Sequence, residues 1–235
     1  MILIIDTSSS GISLVLSEES RLTPQLGVAS PPYWGGDRPK GGRGGSLYSS
    51  EPPPVLFADS PPQEGGHEAS SIVKHVPTEK QSLSLPAETE KFLNENNATW
   101  RDLTAIGVIV GPGSFTGIRL GIAYSKGLSM GLGIPLIPIN AFEIYLEKNP
   151  DAFVAIDSGR GDFFVGAHNL LPQVMTIEEV ETKQFDYPQT IGHKPFDLLD
   201  ALPIVDRKLS ANKNEPVIPM YIKPSYAEIN CKKGL

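Results

Sequence analysis

The chain opens on an unbroken apolar run, Ile2-Leu3-Ile4-Ile5, stopped by Asp6 and Thr7. A short run of β-branched residues and leucine with polar residues at its end predicts a buried strand. The turn Ser8-Ser9-Ser10-Gly11 leads into a second run from Gly11 to Leu16, so the two predict a hairpin. Ser71 to Val76 alternates well enough for a third strand. Thr78-Glu79-Lys80-Gln81 has the form of a capping box and predicts a helix running to about Asn96. Pro86 would kink that helix, and Leu83, Leu85, Phe92 and Leu93 would form its apolar side. Leu103 to Val110 predicts a fourth strand, Thr116 to Leu132 a second helix, and Pro135 to Ile139 a fifth strand. The order β-β-β-α-β-α-β implies an α/β fold with a mixed sheet and helices packed on it.

The opening pattern then recurs. Ala152-Phe153-Val154-Ala155-Ile156-Asp157-Ser158 echoes Ile2 to Ser8, a strand that ends in Asp plus a hydroxyl residue. Phe163 to Ala167 follows as Ile12 to Leu16 did, which points to a duplicated unit. The apolar pattern decays after Val180, and Thr176 to Pro219 looks too short for the usual helices. The reading is an N-terminal subdomain, 1–139, and a shortened C-terminal one, 140–235. Residues 21–66 interrupt the first. They hold 9 of the 22 prolines and 9 of the 23 glycines and have no helix or strand period. Too few large apolar residues lie there to offset the entropy of ordering them, so the segment reads as a disordered insert in a surface loop. A proline-rich ligand for another protein is the weaker alternative.

The densest chemistry sits between the fourth strand and the second helix, in Gly111-Pro112-Gly113-Ser114-Phe115-Thr116-Gly117-Ile118-Arg119-Leu120-Gly121. A glycine-rich turn that opens a helix brings backbone N–H groups to a phosphate or to a partner. No lysine follows Gly117, so the turn is not a P-loop. Gly117, Gly121, Ser125, Ser129 and Gly133 are spaced by four and form a small-residue row along one side of the helix, where another helix can approach. Gly121, Gly127 and Gly131 each cost about 1 kcal/mol relative to alanine, and packing must return it. The row could pack on the sheet beneath or on another protein. On the second reading, bulk at Gly121 or Ser125 breaks the contact and spares the fold. Arg119 could hold an anion or a partner carboxylate, or be a solvated helix charge.

A net charge of −7 over 235 residues disfavours direct nucleic-acid binding, which needs a basic footprint. The single Cys231 fits a reducing compartment. Met1 to Ile5 lacks the length and basic start of a signal peptide, and no run reaches the ~20 apolar residues of a membrane span, so the expected location is cytoplasmic, with no membrane partner. His67, His75, His168 and His193 form no metal-ligand spacing.

Met1 to Ser8, the GPGSFTGIRLG turn with its small-residue helix, Pro135 to Asn140, and Val154-Ala155-Ile156-Asp157-Ser158-Gly159-Arg160-Gly161 together resemble the TsaB (YeaZ) family. These are accessory proteins of bacterial tRNA threonylcarbamoyladenosine synthesis. Pro219-Met220-Tyr221-Ile222-Lys223 is similar to that family's terminal segment. The resemblance implies an actin-like, ribonuclease H-like fold of two related halves, with the second half abbreviated here. It implies a non-catalytic role beside a TsaD-like transferase and a TsaE-like ATPase, with tRNA reached only through the complex and a homodimer as a further possibility. ATP and metal would belong to the partner subunits, and no cofactor is expected on this chain. The interface would comprise Gly113, Ser114, Phe115, Thr116, Gly117, Arg119, Gly121, Ser125 and Ser129, together with the helix from Thr78 to Asn96. Where the transferase carries a metal-holding His-x-x-x-His pair, this chain has Ala141 and Tyr145. Asp6, Thr7, Ser8 and Asp157 would mark a degenerate nucleotide site, in which the two aspartates echo the paired carboxylates of active actin-fold ATPases or merely cap strand ends. A weak ATPase or kinase is thus the alternative function. The older glycoprotease label finds no nucleophile elbow and no His-Glu-x-x-His here.

Overall fold

Ile2–Asp6 (β1) and Ile12–Ser17 (β2) form the expected hairpin, in the register Ile2↔Ser17 to Asp6↔Ser13. Ser71–Val76 (β3) pairs antiparallel with β2, while Ala105–Gly111 (β4) and Leu136–Asn140 (β5) run parallel to β1. The sheet order is β3-β2-β1-β4-β5. β1 and β4 are buried at every position, as continuous apolar strands of a two-sided sheet must be. The computed structural model describes residues 1–18, 70–211 and 215–223; the 21–66 segment, His67 and Cys231 lie outside the described residues.

Two helices cover one face of this sheet. Gln81–Glu95 (α1) and Phe115–Leu132 (α2) pack Leu85, Phe92, Leu93 and Leu120 against Leu3, Ile5, Leu14, Leu16 and Ile106. α1 departs from its sequence reading in two ways. Its N-cap is Lys80, without a side-chain cap, and the Thr78 hydroxyl instead accepts from the Lys80 N–H at 3.1 Å and bonds to the Ser84 hydroxyl at 3.4 Å. The capping box fails because the Gln81 side chain is spent on the β1–β2 turn. Leu83 is 75% exposed, since it sits two positions, about 200° of helix, from the buried line through Leu85.

The opposite face is covered by Ala141–Lys148 (α3) and Leu202–Ser210 (α5), after a 3-10 turn at Leu198–Ala201. Ile144, Leu198, Ile204, Val205 and Leu209 pack on Ile2, Ile4, Val15, Ile109 and Ile139. α3 and α5 thus follow β5 in the chain but pack on the first sheet. The stretch expected to be too short for the usual helices holds α5, whose Pro203 stands in the first turn, where a missing N–H costs nothing.

The second sheet repeats the first. Phe153–Asp157 (β6), Asp162–Ala167 (β7) and Leu170–Thr176 (β8) form consecutive antiparallel pairs, and Thr190–Ile191 (β9) runs parallel to β6. The order β8-β7-β6-β9 matches β3-β2-β1-β4, with no counterpart of β5 among the described residues. β8 escaped the sequence reading because Pro172 interrupts it, and an edge strand tolerates proline. Ile177–Lys183 (α4) follows, closed by a Thr176–Glu179 capping box. The core here is small: Phe153, Ala155, Val165 and Val180, with Tyr187 stacked on Phe153 at 5.2 Å.

Candidate functional site

The glycine turn leaves β4 at Gly111, where φ is +121°, and enters α2 through Ser114, the N-cap, whose hydroxyl accepts from the Gly117 N–H at 3.3 Å. The turn is seated on the β1–β2 hairpin. The Ser114 N–H donates to the Ser8 carbonyl at 2.6 Å, and the Thr7 hydroxyl donates to the Gly117 carbonyl at 2.7 Å. A Cβ at Gly113 would lie 2.4 Å from the Ser8 carbonyl oxygen, at Gly117 1.9 Å from that of Thr7, and at Gly121 2.4 Å from the Thr7 hydroxyl. From the other side the Gln81 amide donates to the carbonyls of Thr7 at 3.3 Å and Ser9 at 2.9 Å, and to that of Gly11.

These contacts fix the direction of the small-residue row. Gly117 and Gly121 are pressed against the chain's own Thr7, and Ser125 is fully buried, so bulk at these positions strikes the fold first. Ser129 is half-buried, its hydroxyl donating to the Ile134 carbonyl at 2.6 Å. Gly113, Ser114, Phe115, Thr116 and Arg119 do stay exposed. A second row points outward: Ala123, Gly127 and Gly131 are exposed, and a Cβ at either glycine would meet nothing within 4 Å. Next to this row on α2 lies Met130, 83% exposed.

Two of the turn's amides are already committed, that of Ser114 to the Ser8 carbonyl and that of Gly117 to Ser114 Oγ, which reduces what the turn could offer a phosphate. The two aspartates play one structural part twice: Asp6 accepts from the Ser8 N–H and Asp157 from the Gly159 N–H, each at 2.7 Å. Burial pushes the Asp6 carboxyl up, against the Ser8 hydrogen bonds and the charge of His75, which pull it down. Asp157 is exposed. Among the described residues no group of three or more His, Cys, Asp or Glu side chains is placed to hold a metal. Ala141 is buried, and Tyr145 donates to the Lys194 carbonyl at 2.6 Å with its ring edge-on to Phe196. Burial raises the Tyr145 phenol, as does the Asp6 charge.

The C-terminal segment joins this site, and no local sequence signal marked its contacts. The Met220 N–H donates to the Val110 carbonyl at 2.8 Å. Tyr221 stacks on Phe115 at 4.8 Å, Arg119 lies 3.8 Å over the Phe115 ring, and its Nε donates to the Tyr221 hydroxyl at 2.5 Å. Arg119 is thus partly committed to an aromatic contact, and not only a solvated charge. Lys223 pairs with Asp162, which also accepts from the Ser158 hydroxyl.

The family described as TsaD, tRNA N6-adenosine threonylcarbamoyltransferase, matches residues 75–219. The chain belongs to that family. Transferases of that name from Clostridium botulinum and Lactobacillus acidophilus are 36% identical over 78 residues and 42% over 141. These matches cover 33% and 48% of this chain but only 23% and 40% of the relatives, so the chain spans less than half the length of either. The fold has a different set of neighbours. YeaZ from Pseudomonas aeruginosa superposes with a TM-score of 0.60 at 16% identity, covering 94% of this chain and 98% of that one. A second Pseudomonas aeruginosa structure, described as similar to peptidase YEAZ, gives 0.61 at 15% identity over 94% and 99%. The chain is TsaB-like in fold, with two mixed sheets flanked by helices. No described helix is long and apolar enough to cross a membrane.

Proposed function

We infer that the chain is the non-catalytic partner of a TsaD-like transferase in threonylcarbamoyl modification of adenosine 37 of tRNA, with a TsaE-like ATPase completing the assembly in the cytoplasm. The observation that carries this reading is the outer face of α2. Ala123, Gly127 and Gly131 form an exposed small-residue row beside Met130, and among the described residues nothing lies within 4 Å of a Cβ at either glycine. Two mid-helix glycines cost about 2 kcal/mol together relative to alanine, a cost that close approach of another helix offsets. Family membership supports a transferase or a second copy of a related chain as that helix's owner. The length of the YeaZ neighbours, matched almost end to end, supports an accessory role. Exposed Phe115, Thr116 and Arg119 extend the same surface at the N-terminal end of α2.

The test is co-expression with the transferase of the same organism. Wild-type chain should co-purify with it and support threonylcarbamoyladenosine formation. Gly127→Trp should abolish co-purification while circular dichroism and Tm stay at wild-type values. Undiminished co-purification of the variant would remove this face from the interface. The ATPase reading draws only on the repeated Asp turns at Asp6 and Asp157 and is weaker, because Thr7 and Ser8 are committed to seating the glycine turn. Calorimetry with Mg-ATP on the isolated chain separates the two, strong binding favouring the enzyme. The peptidase reading has Ser114 as its nucleophile, and that hydroxyl caps α2.

A further inference from the structure

Residues 215–223 cross from one sheet to the other. Glu215 meets Lys208 of α5 at 3.1 Å, and Val217 packs beside Val108, Val110, Ile118 and Ile122. Met220 then bonds to the end of β4 and lies against Gly111, whose Cβ would stand 3.2 Å from the Met220 carbonyl oxygen. Tyr221 is held by Phe115 and Arg119 at the start of α2. Two residues later Lys223 pairs with Asp162, the first residue of β7. The contacts on the first sheet are backbone and aromatic. On the second sheet the Lys223–Asp162 ion pair is shared with the Ser158 hydroxyl, and residues 220–223 line a shallow cleft with residues 171–174 of β8.

We propose that residues 219–223 form a latch that ties the glycine turn of the first sheet to the β6–β7 turn of the second and fixes the angle between the two sheets. The two ends differ in strength. Tyr221 contributes a stacked ring and a hydrogen bond to a guanidinium, whereas Lys223 is partly solvated, with 23% of its side chain exposed. Partly exposed ion pairs weaken with salt, so the Lys223 end releases first. Freeing the Asp162 side chain loosens the β6–β7 turn, which the Ser158 N–H to Asp162 carbonyl bond still closes, while the first sheet keeps its cores.

The experiment uses the full chain with Cys231→Ser and spin labels at Lys126→Cys on α2 and Glu178→Cys on α4. The parent should give a narrow distance distribution. Asp162→Lys should broaden it and speed amide exchange at residues 158–162 about tenfold, and adding Lys223→Asp should restore both. If Asp162→Lys does not fold, Lys223→Met replaces it, and the parent in 1 M salt gives the same reading without any substitution. Unchanged distributions and exchange in both the variant and high salt overturn the latch. Broadening that the charge swap does not restore also overturns it, because it assigns the effect to Asp162 alone.

Discussion

The two strand–Asp–turn hairpins share one local chemistry and differ in everything packed around it. At Asp6–Gly11 the residues Asp6, Thr7, Ser8 and Gly11 are buried, and the turn is gripped by the Gln81 amide and pressed by three glycines of the α2 entry. At Asp157–Gly161 the same i to i+2 hydrogen bond closes the turn, yet Asp157, Gly159, Arg160 and Gly161 are exposed, and a Cβ at either glycine meets nothing within 4 Å. The duplicated unit therefore carries its close packing in one copy only. The aspartate turn comes with the strand end. The glycine helix is an addition that turns the first copy into a rigid platform for α2.

The largest break in that contrast is Gly117→Ala. The new methyl would meet the Thr7 carbonyl at 1.9 Å, and backbone cannot step aside as a flexible side chain does. The expected loss is about 3 kcal/mol or more, measured by urea denaturation. The matching change on the outer side of the same helix, Gly127→Ala, fills open space and should stabilise the isolated chain by about 1 kcal/mol. Equal effects at the two positions would mean that α2 is not seated as described. Gln81→Ala comes next. It strips donors from the carbonyls of Thr7, Ser9 and Gly11, and the expected loss is about 1–3 kcal/mol, with faster amide exchange confined to residues 7–11. An equally large effect from a substitution at Arg160 in the second turn would erase the asymmetry.

The amino-acid sequence showed the repeat itself, because Ile2 to Thr7 and Phe153 to Ser158 carry the same residue classes in the same order. It showed the small residues of α2 but not their direction. A spacing of four generates both the 117-121-125 row and the 123-127-131 row, and only the position of Thr7 decides which faces inward. It missed β8 and α5 for related reasons. Pro172 and Pro203 both look like breaks, yet one lies on a sheet edge and the other in a first helical turn. The latch was out of reach: Arg119 and Tyr221 are 102 positions apart, and no local period connects them. Gln81 misled for the opposite reason, its spacing from Thr78 fitting a cap that a distant turn outcompetes.

The smallest expected effect is a pH dependence set by Asp6. Burial raises the Asp6 carboxyl above its ordinary range, so the folded chain holds that proton to a higher pH than the unfolded chain does. Its contribution to stability is then fully present below the usual Asp value of about 3.9 and is lost as pH rises through the raised folded value. An asparagine in place of Asp6 would keep an acceptor for the Ser8 N–H and carry no charge. Asp6→Asn should therefore gain stability relative to wild type as pH increases across that window, followed by thermal melts from acid to neutral pH. Parallel melts for Asp6→Asn and wild type at every pH would show that the first turn is as wet as the second. The asymmetry of the two copies would then lie in the glycines alone.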